Sequence, residues 1–255
     1  MVAVAKGKKT FKNSLQESRV KNIVRNSLFD EITKKFINNE PITGFTLPGT
    51  SFTMESSLTE AYKKKLKLYG VESNKAIYEQ TLVLQKTNAP TMHYEHSTDL
   101  KFWKKTDAKF DFMWLDYCGQ FSKTKISSLD TIFKRDLIKD NGLLALTIID
   151  GNETSDNTLE QLTVFSKYSK YRDGKGKYLS AYNVRMSGVP RFINDIANKY
   201  EKSLDPLVIF NYKDKARGNN ARTMLMFIFN VYDRIIDFDI WKASLTDLVQ
   251  NPIEV

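Results

Sequence analysis

The chain has one cysteine, Cys118, and two histidines, His93 and His96, in 255 residues. A single cysteine excludes an intrachain disulfide and a cysteine-rich zinc site, and it fits a reducing compartment. Two histidines give little basis for a histidine-based metal site, so no metal is expected. No apolar run approaches the roughly 20 residues that span a bilayer. The longest, Gly142–Ile149 and Thr223–Val231, are of strand length. The opening MVAVAKGKKTFK lacks the apolar stretch of a secretory signal, so the expectation is a cytoplasmic protein with no membrane partner. Acidic residues are also in deficit, 30 against 39 Lys and Arg, for a formal charge of +9. A basic surface gains affinity for polyanions by releasing counterions from phosphates, which makes nucleic acid the expected partner. The competing reading is a lysine-rich protein that binds none.

What is present is an alternation of two periodicities. From Ser14 to about Asn38, apolar residues recur at helical spacing (Val20, Ile23, Val24, Leu28, Phe29, Ile32, Phe36, Ile37), with Lys21, Arg25, Lys34 and Lys35 on a basic outer face. Asn39 and Pro41 end that helix. Short apolar runs then alternate with helical stretches. Strands are expected at Ile42–Leu47, Lys67–Val71, Met92–His96, Phe110–Leu115 and Gly142–Ile149. Helices are expected at Met54–Leu66, Ser73–Gln85 with Ser73 as its cap, Ser127–Ile138, Thr158–Tyr168 and Arg191–Glu201. Two further strands, Pro206–Tyr212 and Thr223–Tyr232, flank a short polar link and suit an antiparallel hairpin.

Strands alternating with helices of this length predict crossover units on a parallel sheet, whose strands are apolar because both faces are covered. The expected fold is therefore α/β: a three-layer Rossmann-like sandwich with a seven-stranded, mostly parallel sheet, an antiparallel C-terminal hairpin and an N-terminal helical extension. Residues 1–40 form a basic arm and helix packed on a core of residues 41–255. No G-x-G-x-x-G opens a helix, which disfavours an NAD-type enzyme.

Four segments stand where strands give way to turns. GFTLPGTSFTMES (Gly44–Ser56) has Gly49 in its turn, and KLYGVESNKAIYEQ (Lys67–Gln80) ends a strand on Glu72. HSTDLKFW (His96–Trp103) follows the third strand, and FDFMWLDYCGQFS (Phe110–Ser122) runs straight into Asp116-Tyr117. In their order and spacing, these segments from Pro41 to Tyr232 resemble the class I S-adenosylmethionine-dependent methyltransferases. The resemblance implies S-adenosylmethionine as cofactor, held by Leu47, Pro48, Gly49, Thr50, Glu72, Ser73, Thr98, Asp99 and Asp116. Gly49 would approach the methionine part, Glu72 would accept from the ribose hydroxyls, and Asp99 would contact the adenine amino group. Asp116 and Tyr117 are the implied catalytic residues, standing where amino-group methyltransferases carry an acid and an aromatic. Each position also has a plain reading: a turn at Gly49, a helix cap at Thr98–Asp99, a turn carboxylate at Asp116. Cys118 reads more readily as a small buried hydrophobe than as a nucleophile.

The segment Lys167–Arg185 interleaves basic residues with tyrosines. Positive charge tracks phosphates and tyrosine rings stack on unpaired bases, which makes Lys167, Lys170, Tyr171, Arg172, Lys175, Lys177 and Tyr178 candidate nucleic-acid contacts. The leading expectation is a methyltransferase acting on nucleic acid, on a base amino group. The alternative is a catalytically silent relative that serves as a nucleic-acid-binding or assembly module.

Overall fold

The computed structural model describes residues 19–36, 38, 41–117, 119, 121–150, 181–214 and 222–254. The helices are α1 (Arg19–Phe36), α2 (Thr53–Tyr62), α3 (Lys75–Asn88), α4 (Asp99–Lys105), α5 (Lys123–Lys134), α6 (Ala181–Asn198) and α7 (Phe238–Gln250). The strands are β1 (Ile42–Thr46), β2 (Leu66–Glu72), β3 (His93–His96), β4 (Phe110–Asp116), β5 (Ile138–Asp150), β6 (Ser203–Asp214), β7 (Arg222–Tyr232) and β8 (Ile253–Glu254). They form one sheet in the order β3-β2-β1-β4-β5-β7-β6-β8. Strands β1 to β5 pair in parallel, whereas β7 runs antiparallel between β5 and β6. The seven expected strands are all there, and the two-residue β8 adds an edge to β6.

Alternation along β4 explains the three layers. Met113 and Leu115 face a core built with Trp103 of α4, Leu129 and Phe133 of α5, Ile193 of α6 and Trp241 of α7. Phe112 and Trp114 face the opposite core, with Val24, Leu28 and Ile32 of α1 and Leu58 and Tyr62 of α2. Both faces being covered accounts for the near-continuous apolar sequence of β4. Helix α1 supplies four of the second core's buried side chains (Val24, Leu28, Ile32, Phe36) and so is part of the sandwich.

Several boundaries differ from the sequence reading for identifiable reasons. Leu66 is not the end of α2: a 3-10 turn at Lys63–Lys65 intervenes, and Leu66 opens β2. Ser73 does not cap α3. Asn74 does, its side chain accepting from the Ala76 and Ile77 amides. Helix α6 begins ten residues before the expected Arg191 and runs through Pro190. The lost amide bond there is offset by packing of Met186, Val189, Ile193 and Ile196 in the core. Strand β5 starts early, at Ile138, because the register to β4 shifts between Phe110 and Phe112 and Asn141 takes a left-handed φ of 57°. The basic face of α1 is only partly outward. Arg25 is buried against the Trp114 ring, and Lys35 donates to Asn230. The expected helix Thr158–Tyr168 and the Lys167–Arg185 segment up to residue 180 lie outside the described residues. Among the described residues, no helix is long and apolar enough to cross a membrane.

Candidate active site

The carboxyl ends of β1, β2, β3 and β4 converge where the strand order reverses, with β1 and β4 adjacent and their following connections leaving to opposite faces. Open α/β sheets bind ligands in the crevice at such a switch point. After β1 the chain continues extended for one residue, Leu47 donating its amide to the Trp114 carbonyl (3.1 Å). It then turns through Pro48-Gly49, and the Phe52 amide closes on the Gly49 carbonyl (3.3 Å). Phe52 sits in left-handed conformation, fully buried, with its ring edge-on to Tyr94.

The glycine that lets this loop approach the sheet lies in β2, outside the turn. A Cβ on Gly70 would stand 2.1 Å from Met92 Cε, 3.0 Å from the Thr46 carbonyl oxygen and 3.2 Å from Pro48 Cδ. A side chain there would displace the Met92 methyl and crowd the Thr46 carbonyl and Pro48.

Glu72 ends β2. Its Oε1 accepts from the Asn74 amide (2.6 Å), which fixes the carboxylate at the strand's end. Thr98 caps α4 by accepting from the Lys101 amide, and Asp99 opens that helix. One Asp99 oxygen accepts from the Leu100 amide (2.8 Å), the other from the Tyr117 hydroxyl (2.5 Å). Tyr117 is buried, and burial, then the Asp99 charge, push its phenol well above the ordinary value. Its amide donates to the Leu115 and Thr147 carbonyls, and the Lys125 ammonium lies 5.1 Å from its ring centroid. The ring therefore closes a wall between β4 and α4.

Asp116, buried at the end of β4, pairs with Lys21 of α1 at 3.3 Å. Behind it lies Glu55, in the first turn of α2 and 1% exposed, with Oε1 lacking a hydrogen-bond partner. Burial raises the Glu55 carboxyl above its ordinary range, opposed by the Arg25 charge and reinforced by Asp116. A carboxyl raised in the folded state contributes most to stability below its unfolded value, and the contribution is lost as pH rises through the folded value. Glu55→Gln is therefore expected to raise the melting temperature at pH 7–8 relative to the parent and to leave it nearly unchanged near pH 4. A melting series across that range checks it, and equal shifts at both ends would refute it.

These groups surround a cavity of about 470 Å³. Of the residues that the sequence singled out, Leu47, Pro48, Gly49, Glu72, Ser73, Thr98, Asp99, Asp116 and Tyr117 all line it, and Thr50 does not. Lys21, Ser122, Thr124 and Lys125 line it too and were not expected. Nothing in the sequence marks them, because their roles depend on where α1 and α5 dock. Cys118 and the candidates Lys167, Lys170, Tyr171, Arg172, Lys175, Lys177 and Tyr178 lie outside the described residues. Among the described residues, no group of three His, Cys, Asp or Glu is placed to hold a metal.

No protein-family model matches the sequence, and no curated protein matches it. The fold is matched by solved structures. A proposed RNA methyltransferase of Pyrococcus horikoshii superposes with a TM-score of 0.54 at 10% identity, over 89% of this chain and 92% of that one. A proposed sarcosine dimethylglycine methyltransferase of Galdieria sulphuraria superposes with a TM-score of 0.52 at 12% identity, over 84% and 87%. Identities this low carry architecture alone, and together with the strand order they place the chain in the Rossmann-like fold of the class I methyltransferases.

Proposed function

We propose that the protein is an S-adenosylmethionine-dependent methyltransferase that modifies nucleic acid, at an exocyclic amino group of a base. The observation that carries this reading is the meeting of Gly49, Glu72, Asp99 and Asp116, from four separate strand ends, in one cavity at the sheet's switch point. Its volume lies within the roughly 300–1,000 Å³ of cofactor sites. The donor set fits the cofactor: Glu72 offers a carboxylate to a pair of ribose hydroxyls, and Asp99 offers one to an amino group. The turn at Pro48-Gly49, brought close by Gly70, gives a ligand access to main chain. When bound, the cofactor supplies an electrophilic methyl on a sulfonium.

The chain's own residues then have three tasks. Asp116 orients the acceptor amine and takes its hydrogen bond, since much of the rate comes from aiming the lone pair. Tyr117 fixes Asp99 by hydrogen bonding and closes one wall. Val71 and Leu47 give the cavity an apolar lining that keeps water from the reacting centre.

Topology supports nucleic acid as substrate. Thr147 of β5 sits beside Asp116, so the chain leaving β5 after Asp150 starts from the edge that holds the cavity. The lysine- and tyrosine-rich residues 167–178 follow in that connection. A specific observation favours the alternative of a silent binding module: Lys21 already occupies the Asp116 carboxylate.

Calorimetric titration with S-adenosylmethionine separates the two. Micromolar binding is expected for the parent. Glu72→Ala should weaken it about 10–100-fold, through loss of charge-assisted hydrogen bonds worth roughly 1.5–3 kcal/mol. Gly49→Arg should abolish it by filling the turn. Unchanged affinity in both variants would overturn this assignment of the cavity.

A further inference from the structure

Lys21 projects from the first turn of α1 into the cavity, and its ammonium contacts the Asp116 carboxylate at 3.3 Å. The pair is largely shielded, with side-chain exposures of 18% for Lys21 and 4% for Asp116. A primary amine of the chain thus stands at the carboxylate that the proposed function assigns to the acceptor. Resting on that reading, we infer that Lys21 is a methyl-accepting lysine of its own site, modified in cis on its ε-nitrogen.

Three features favour it over other lysines. Helix α1 is docked by buried Val24, Leu28 and Ile32, and Val20 in its first turn packs against the same core. An amine tethered beside a reacting centre has an effective concentration that a diffusing acceptor rarely matches. Lys125, the other lysine lining the cavity among the described residues, stands over the Tyr117 ring, whereas Lys21 reaches the carboxylate at the end of β4.

The chemistry balances with S-adenosylmethionine as methyl donor. An ammonium has no lone pair, so Lys21 first loses a proton, which passes by way of Asp116 to solvent. The freed lone pair forms the N–C bond as the sulfonium S–C bond breaks, leaving a thioether and a methylammonium. Positive charge is retained, so the pair with Asp116 survives with one N–H fewer. The charged and titratable groups that line the cavity with Lys21 are Glu72 at the end of β2, Asp99 on α4, Asp116 and Tyr117 at β4, and Lys125 on α5.

Two measurements on the full chain test it. In the first, the protein is incubated with S-adenosylmethionine from pH 7 to 9 and its peptides are weighed. Methyl groups are expected on Lys21, at a first-order rate independent of protein concentration, with exposed Lys123 and Lys199 unmarked. Lys21→Arg should abolish the mark, and Asp116→Asn should slow it about 100-fold. The second needs no cofactor: an amine-acylating reagent should label shielded Lys21 more slowly than exposed Lys123. The inference is overturned if calorimetry shows bound cofactor while Lys21 stays unmarked, or if Lys21 acylates as fast as Lys123 in the parent. If calorimetry shows no cofactor binding, the proposed function falls first and takes this inference with it.

Discussion

Replacing Asp116 by Asn should lower methyl transfer to nucleic acid by about 10²- to 10⁴-fold, the range spanned by a positioned acid–base group. The change keeps the side chain's volume and removes its charge, so folding should survive. In the proposed reaction the carboxylate would do two things that an amide cannot. It accepts hydrogen bonds through both oxygens from an amine, and it gives a departing proton a place to go. Asparagine would also turn an N–H toward the acceptor, which points the lone pair the wrong way. The measurement is incorporation of labelled methyl into tRNA and plasmid DNA, alongside a circular dichroism melt to confirm the fold. A variant that folds and transfers methyl at the parent rate would remove Asp116 from the mechanism.

The largest stability loss is expected from Phe45→Ala. Phe45 is fully buried in β1, its ring centroid 4.2 Å from that of Trp103, 5.3 Å from Phe102 and 5.9 Å from Phe110. Truncating a buried phenylalanine costs about 3–5 kcal/mol, since the ring's transfer energy is lost and a cavity remains. For a chain of this size, each kcal/mol moves the melting temperature by roughly 2–4 °C. A drop of about 6–20 °C in a thermal melt is therefore expected. The effect should reach the site, because Phe45 lies two residues before Leu47 and supports the strand end that bears the turn. Phe238→Ala, at a side chain 58% exposed, serves as the contrast and should stay within about 1 kcal/mol. Equal losses in the two variants would contradict the layered core described here.

The sequence made the sheet and the acids legible because both follow from short-range pattern. The apolar run of β4 ending on Asp116, and β2 ending on Glu72, can be read from one stretch of chain each. What stayed hidden depends on partners distant in sequence. Gly70 looks like a weakness in a strand until Pro48 and the Thr46 carbonyl are seen pressed against it. Gly44 is similar: a Cβ there would stand 2.1 Å from the Phe112 ring. Lys21 and Arg25 read as solvated charges on a basic helix, and only the docking of α1 turns them toward Asp116 and Trp114. Asn74 and Ser73 are both good caps, and the winner depends on where β2 releases the chain. Pro190 looks like a helix start, yet burial of the turns on both sides carries the helix through it.

Helix α1 touches both ends of the sandwich. Lys21 meets Asp116 at the carboxyl edge of the sheet, and fourteen residues later Lys35 meets Asn230, opposite Leu143 near the other edge. At 1.5 Å per residue, those anchors lie about 21 Å apart along the helix axis. A helix anchored at two edges tends to open as a cooperative unit. Were α1 to lift away, the acid at the end of β4 would lose the Lys21 ammonium while every strand pairing stayed intact. The site's electrostatics thus depend on a helix that takes part in no strand pairing.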